Sequence, residues 1–255
     1  MPGDATDIDS LKGAWDAAGK DDPFWSVLSV RDKQKNRWDV QEFLQTGVAE
    51  VNQVMSEIAR LGMEGPRRRA LDFGCGPGRL TQALAAHFEQ VDGVDISGSM
   101  IQLAEQLNRQ PDRCHYHLNQ ADDLSLFEDE RFDLVFSIIT LQHVGPAYAR
   151  SYLKEFIRVL VPGGALVFQL PGRPTGWLRR LKRLAPAPLF AAYHRLRYHG
   201  HPAASMTGIP REEVVQFCEA NGVTIIDVQA NQEAGAGWES FRYFGRRVSS
   251  PGSQA

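Results

Sequence analysis

The sequence predicts a doubly wound α/β fold, a mostly parallel sheet with helices on both faces. Three observations predict it. Short apolar runs alternate with amphipathic helical stretches between Ala70 and Leu170, one joint between them is glycine-rich, and 255 residues suit one large domain better than two. The composition, 43% hydrophobic and 23% charged, is that of an ordinary soluble protein.

The first thirty-six residues are polar with scattered aromatics (Trp15, Phe24, Trp25) and predict an irregular arm that packs over another part of the molecule. From Trp38 onward, Val51, Val54, Met55, Ile58 and Leu61 recur at i, i+3, i+4 and i+7, which predicts an amphipathic helix ended by Gly62. Strands are expected at Ala70–Phe73, Gln90–Asp95, Cys114–Leu118, Phe132–Ile139 and Ala165–Leu170. Helices are expected between them at Arg79–Phe88, Ser97–Asn108 and Tyr148–Leu160. After Leu170 the alternation breaks. Residues 171–210 contain six prolines and the basic segment Trp177–Leu184, and read as an insertion. Pro210 then opens a helix through Ala220, ended by Asn221-Gly222. Val223–Val228 is a further strand, and Ser240–Gly245, with Phe241 and Tyr243 on one face, closes the sheet edge. The tail 249–255 reads as disordered.

Several function classes are disfavoured. No run approaches the roughly 18 apolar residues of a membrane helix, and the first thirty residues are acidic rather than basic-then-apolar, so a soluble, cytoplasmic protein is expected. Three widely spaced cysteines fit neither a disulfide framework nor a paired-cysteine zinc site. The formal net charge of −3 gives no reason to expect a nucleic-acid partner. That total hides an asymmetry, because no Asp or Glu occurs between Glu155 and Glu212 while Lys and Arg supply nine positive charges.

The segment ALDFGCGPG (Ala70–Gly78) is a strand, a glycine-rich turn and the start of a helix, where backbone can approach a ligand and aim amides at it. Its glycines are Gly74, Gly76 and Gly78, with Arg79 where a dinucleotide fingerprint has its third glycine, and no Lys-Ser/Thr pair follows as in a P-loop. Asp95 ends the next strand, 21 residues after Gly74, where a carboxylate can accept from both hydroxyls of a ribose. Asp72 would oppose a pyrophosphate and suit a cation. The ligand expected is a nucleoside with a positive tail.

With these residues in place, the sequence resembles the class I S-adenosylmethionine-dependent methyltransferases. The resemblance rests on LDFGCGPG, on GVDIS with Met100 following, on Ala121–Ser137 and on RVLVPGGALVF (Arg158–Phe168), in that order. It implies a seven-stranded sheet whose last strand runs antiparallel; to this the sequence adds a helical N-terminal arm and a Pro-rich basic insertion after the fifth strand. The chain then divides into an arm and helix covering the site (1–62), a cofactor-binding domain (63–248, with 171–210 as insertion or lid) and the tail. The resemblance implies S-adenosylmethionine as cofactor. Asp72, Gly74, Cys75 and Gly76 would surround the methionine moiety, and Asp95 would hold the ribose. Ile96 and Met100 would cover the adenine, Asp123 and Leu124 would lie at its edge, and Ser137 would face the sulfonium.

Methyl transfer is an in-line displacement, for which a hydroxyl acceptor benefits from a base; the candidate is His143, after the fourth strand and beside Gln142. His194, His199 and His201 lie among arginines, which repel a cation, so no metal is expected there. The face of Trp177–Leu184 that carries Lys and Arg suits an anionic substrate or a peripheral lipid contact, or serves as a solvated lid. Diffuse likeness of DDPFWSVL, WDVQEFLQTG, FQLPGRP and MTGIPREEV to saccharide and secondary-metabolite enzymes points to O-methylation of a small-molecule, sugar or glycoside hydroxyl. Methylation of a small amine, in which Asp21 and Asp22 could meet a cationic acceptor, and a non-catalytic cofactor-binding regulatory subunit are the alternatives. A nicotinamide oxidoreductase ranks behind them because of Arg79. The oligomeric state and the acceptor are not readable.

Overall fold

Seven strands form one sheet in the order β3-β2-β1-β4-β5-β7-β6. They are β1 (Arg69–Phe73), β2 (Gln90–Asp95), β3 (Cys114–Leu118), β4 (Phe132–Ser137), β5 (Leu160–Pro174), β6 (Val223–Asn231) and β7 (Trp238–Arg247). These positions come from a computed structural model, in which residues 8–176, 206–235 and 237–248 are described. The basic segment 177–184, the three histidines 194, 199 and 201, and the tail 249–255 lie outside the described residues.

Strands β1 to β5 pair in parallel, whereas β7 runs antiparallel to both β5 and β6. The mostly parallel sheet expected from the sequence is therefore corrected to a mixed one. The physical reason is connectivity: β6 and β7 are joined by a short turn, and a short turn can only connect antiparallel neighbours. The antiparallel last strand implied by the family resemblance is present.

Strand alternation splits the core in two. Leu71, Phe73, Leu166, Phe168 and Tyr243 face one apolar layer, completed by Tyr152, Leu153 and Phe156 of α6 (Pro146–Val159) and by Val214 and Cys218 of α7 (Arg211–Ala220). Their sequence neighbours Ala70, Ala165, Val167 and Phe244 face the other layer, with Val51, Val54, Met55 and Ile58 of α3 (Val40–Arg60) and Leu80, Ala83 and Leu84 of α4 (Arg79–Leu84). α3 starts where Asp39 accepts a hydrogen bond from the Glu42 amide at 2.9 Å, an N-cap worth about 1 kcal/mol.

The N-terminal arm is helical rather than irregular: α1 spans Ile8–Asp21 and α2 spans Pro23–Val27. Ile8, Leu11, Trp15 and Ala18 repeat at helical spacing, and the sparse apolar stripe gets its stability from packing rather than from composition. β4 also ends two residues earlier than expected, because Ile139 takes a left-handed conformation (φ 61°) that no strand accommodates. α4 stops at Leu84, where the chain tightens into i+3 turns through Ala86 and His87.

Candidate functional site

A cavity opens at the carboxyl ends of β1, β2 and β4, where ligands bind in open α/β sheets. It encloses about 910 Å³ of empty space, open solvent at its mouth included, which is within the range of cofactor-sized pockets. Its wall contains Gly74, Gly76, Asp95, Ile96, Met100 and His143, six of the residues singled out from the sequence. The remaining wall is largely apolar and aromatic, with Phe73, Trp15, Tyr148 and Tyr152, and with Asn119 and Thr140 as further polar groups.

The glycine turn after β1 is shaped by Asp95 and β2. Gly74 and Cys75 donate to the Val94 carbonyl at 2.8 and 3.0 Å, Gly76 donates to Asp95 Oδ2 at 2.9 Å, and Gly78 donates to the Cys75 carbonyl at 3.0 Å. The sequence expectation that this turn aims free amides at its ligand is thereby corrected. Its amides are satisfied within the protein, so what it offers is close approach. Gly74 (φ 80°) lies so near Thr140 that a Cβ there would collide with the threonine side chain. A pyrophosphate would find no ring of amides in this turn.

Asp95 accepts from Ser97 N through Oδ1 (2.9 Å) as well as from Gly76 N, which fixes its plane and leaves each oxygen a further lone pair for ribose hydroxyls. Burial pushes its carboxyl up, and those backbone bonds oppose the shift. Asp72 is fully buried on β1. Its Oδ2 accepts from Thr81 Oγ1 at 2.7 Å, while Oδ1 has no hydrogen-bond partner. Burial raises its carboxyl to about 6, against the opposing pull of Thr81 and Arg79. An under-satisfied acidic group beneath the turn, a ribose-ready carboxylate and an aromatic wall fit a cationic nucleoside such as S-adenosylmethionine.

The other residues singled out lie outside the cavity wall. Cys75 is buried in the turn, and burial pushes its thiol well up, which makes it a packing group rather than a nucleophile. Ser137 is buried and donates to the Phe73 carbonyl at 3.0 Å, stapling β4 to β1; the next three residues, Ile138 to Thr140, reach the cavity instead. Leu124 is fully buried in the core, its amide donating to Glu155 Oε2 at 2.8 Å. Asp123 forms a turn, its side chain accepting from the Ser125 amide at 3.1 Å and its carbonyl from Asn119 Nδ2 at 2.7 Å. Asn119 thus reaches the wall where the sequence pointed to Asp123.

His143 lies in a 3-10 turn, Leu141–His143, and is 4% exposed. The Trp15 ring of α1 meets it edge-on, with centroids 5.2 Å apart and planes at 69°. Trp15, Ile8, Leu11 and Val27 are wall residues that the sequence reading did not assign to a site. Their signal was the spacing of Ile8, Leu11 and Trp15. α1 is held down by Asp16, whose Oδ1 accepts from the Ser99 amide at 2.8 Å and from Ser97 Oγ at 3.3 Å, at the start of α5 (Gly98–Leu107). Among the described residues no grouping of His, Cys, Asp and Glu could hold a metal ion, and no helix is long and apolar enough to cross a membrane.

Residues 71–168 match the family model described as a methyltransferase domain. The trans-aconitate 2-methyltransferase of Methylobacterium nodulans is 35% identical over 158 residues, 61% of this chain and 58% of that protein. The ubiquinone biosynthesis O-methyltransferase of Coxiella burnetii is 28% identical over 164 residues, 63% of this chain and 65% of that protein. The chain thus spans about three fifths of the length of these curated relatives. In structure, the chain is similar to the magnesium protoporphyrin IX methyltransferase of Synechocystis PCC 6803 with bound S-adenosylhomocysteine. The TM-score is 0.65 at 18% identity, over 95% of this chain and 100% of that one, a likeness of fold.

Proposed function

We propose that this chain, whose residues 71–168 match the methyltransferase-domain model, is an S-adenosylmethionine-dependent methyltransferase acting on an oxygen of a small molecule. The observation that carries the reading is the single cavity wall shared by Gly74, Gly76, Asp95, Ile96, Met100 and His143. Cofactor and acceptor sites then adjoin at the carboxyl end of the sheet.

When bound, the cofactor supplies an electrophilic methyl group on a sulfonium, so the protein need not activate the donor. Asp95 accepts the ribose hydroxyls, with its plane set by Gly76 and Ser97. Ile96 and Met100 pack on the base, and the bare glycine turn lets the methionine portion lie against backbone. Asp72 adds negative potential beneath the turn. Trp15, Leu11 and Val27 exclude water, and His143 orients the acceptor.

For the acceptor, the sequence pattern favours a sugar or glycoside hydroxyl, and the basic stretch after β5 favours an anionic molecule. The O-methyltransferase named for ubiquinone biosynthesis supports oxygen as the acceptor atom, and the enzyme named for trans-aconitate supports a small anion. The test is incubation of the chain with methyl-labelled S-adenosylmethionine and a panel of glycosides, carboxylic acids, phenols and amines. Label in an oxygen acceptor, with kcat falling roughly a hundredfold in His143→Ala at nearly unchanged cofactor affinity, supports the reading. Label only in amines overturns oxygen transfer, and confirmed cofactor binding with no label in any acceptor favours the non-catalytic subunit.

A further inference from the structure

Beside His143 lies a chain of buried amides that no sequence motif announced. Gln169 of β5 is fully buried, and its Oε1 accepts from the Ile139 amide at 3.1 Å. Its Nε2 donates to Ser240 Oγ at 3.0 Å and to Gln142 Oε1 at 3.2 Å. Gln142, also buried, places its Nε2 3.1 Å from His143 Nε2. The Thr207 amide in turn donates to the Gln142 carbonyl at 2.8 Å.

The direction of this chain follows from one fixed point. A backbone amide can only donate, so the Gln169 oxygen must face Ile139 and its NH₂ must face Gln142. Gln142 then has to present oxygen to Gln169 and NH₂ to His143. The His143 Nε2 opposite that NH₂ must carry a lone pair, which places the ring proton of the neutral imidazole on Nδ1. The fixed point is itself unusual, because Ile139 is β-branched and sits at φ 61°, a conformation held only where its surroundings enforce it. Gln169 is the group that captures the amide of that turn, and the turn delivers Ile139, Thr140 and His143 to the cavity.

We infer that Gln169 is a positioning residue, which through Gln142 holds His143 in the Nδ1–H tautomer and the 138–143 turn in its left-handed form. The inference rests on the reading of His143 as the residue that meets the acceptor. A burial role alone would not require a glutamine here, since the neighbouring inward positions of β5 on this face are Ala165 and Val167.

The test is the ¹⁵N spectrum of the histidine-labelled full chain at neutral pH, with His143 assigned by its loss in His143→Asn. A pyridine-type Nε2 and a protonated Nδ1 are expected; an Nε2–H signal, or protonation of both nitrogens, overturns the inference. In Gln169→Met the Gln142 amide is released, so an Nε2–H fraction emerges and kcat falls about tenfold with S-adenosylhomocysteine affinity within about twofold. A His143 signal in Gln169→Met identical to that of the parent chain also overturns it. Should Gln169→Met fail to fold, Gln169→Glu retains the acceptor for Ile139 and, measured above the pH at which its carboxyl ionises, loses the donor to Gln142; the same two spectral outcomes decide. The spectrum needs no acceptor. Normal turnover of His143→Ala alongside an Nδ1–H signal would therefore remove the catalytic role and leave the positioning intact.

Discussion

Asp95 does two jobs at one atom pair, because the oxygens that would meet a ribose also hold the Gly76 and Ser97 amides. Replacing it should therefore cost more than one ligand hydrogen bond. Asp95→Ala is expected to weaken S-adenosylhomocysteine binding by roughly a hundredfold, by analogy with buried charged hydrogen bonds worth about 1.5–3 kcal/mol each, as read by calorimetry. Affinity within twofold of the parent chain would remove the ribose assignment. At this scale the sequence was readable where spacing and chemistry coincide: Gly74, Gly76 and Asp95 are fixed by the strand-turn-helix joint. Cys75, Asp123, Leu124 and Ser137 were placed by family pattern alone, and the cavity wall passes them by. Which face a loop residue presents depends on partners far along the chain, such as Glu155 for the Leu124 amide. The amides of Gln142 and Gln169 left no trace in the pattern because a lone buried glutamine reads like any polar residue until its partners are known.

Among the elements, α1 and α5 are the pair whose coupling matters to the site. The α5 N-terminus has two acceptors for its open amides, Ser97 on Met100 N (3.2 Å) and, from another helix, Asp16 on Ser99 N. A carboxylate at the positive end of a helix is favourable, and the Lys20 ion pair, followed by the Ser99 bond, holds the Asp16 carboxyl down at about 2. Asp16 therefore stays ionised through the neutral range and serves as a permanent clasp between α1 and the loop that follows Asp95. Removing it should loosen the wall made by Leu11 and Trp15 without unfolding the sheet. In Asp16→Ala the dissociation rate of S-adenosylhomocysteine is expected to rise about fivefold, for a cap-sized loss of about 1 kcal/mol, as followed by stopped-flow fluorescence of Trp15. An unchanged rate would mean that α1 is a static wall. Only the sparse spacing of Ile8, Leu11 and Trp15 marks this helix in the sequence, because its apolar stripe is thin and its main anchor is a polar residue reaching 83 positions ahead. By contrast α3, with its dense periodic stripe, was readable almost to its ends.

Across the whole molecule, the acidic groups under the glycine turn make the unliganded protein sensitive to pH in a direction that can be worked out. Asp72 titrates near 6 in the folded state against 3.8 as its ordinary value, and Asp95 is shifted the same way. Between those limits the folded state holds more protons on these two carboxyls than the unfolded one, so their contribution to the stability of the free protein falls as pH rises from about 4 to about 6, then levels off with respect to Asp72. A bound cation reverses the bias, because its charge favours the ionised carboxylates and draws their protons off. Two consequences follow from the same linkage. Cofactor affinity should climb as pH rises toward about 6 and flatten above it, and binding below that pH should release protons into the buffer. The gain in Tm produced by a fixed excess of S-adenosylmethionine should therefore be larger at pH 7.5 than at pH 5. Asp72→Asn should flatten this dependence, because its amide carries no charge at either pH and keeps the volume of the site. Differential scanning fluorimetry of both chains at the two pH values, with and without cofactor, reads these Tm gains. Equal Tm gains for the parent chain at pH 5 and 7.5 would show that the cation does not sense the buried pair, and would move the positive end of the ligand away from the turn that β1 and β2 build.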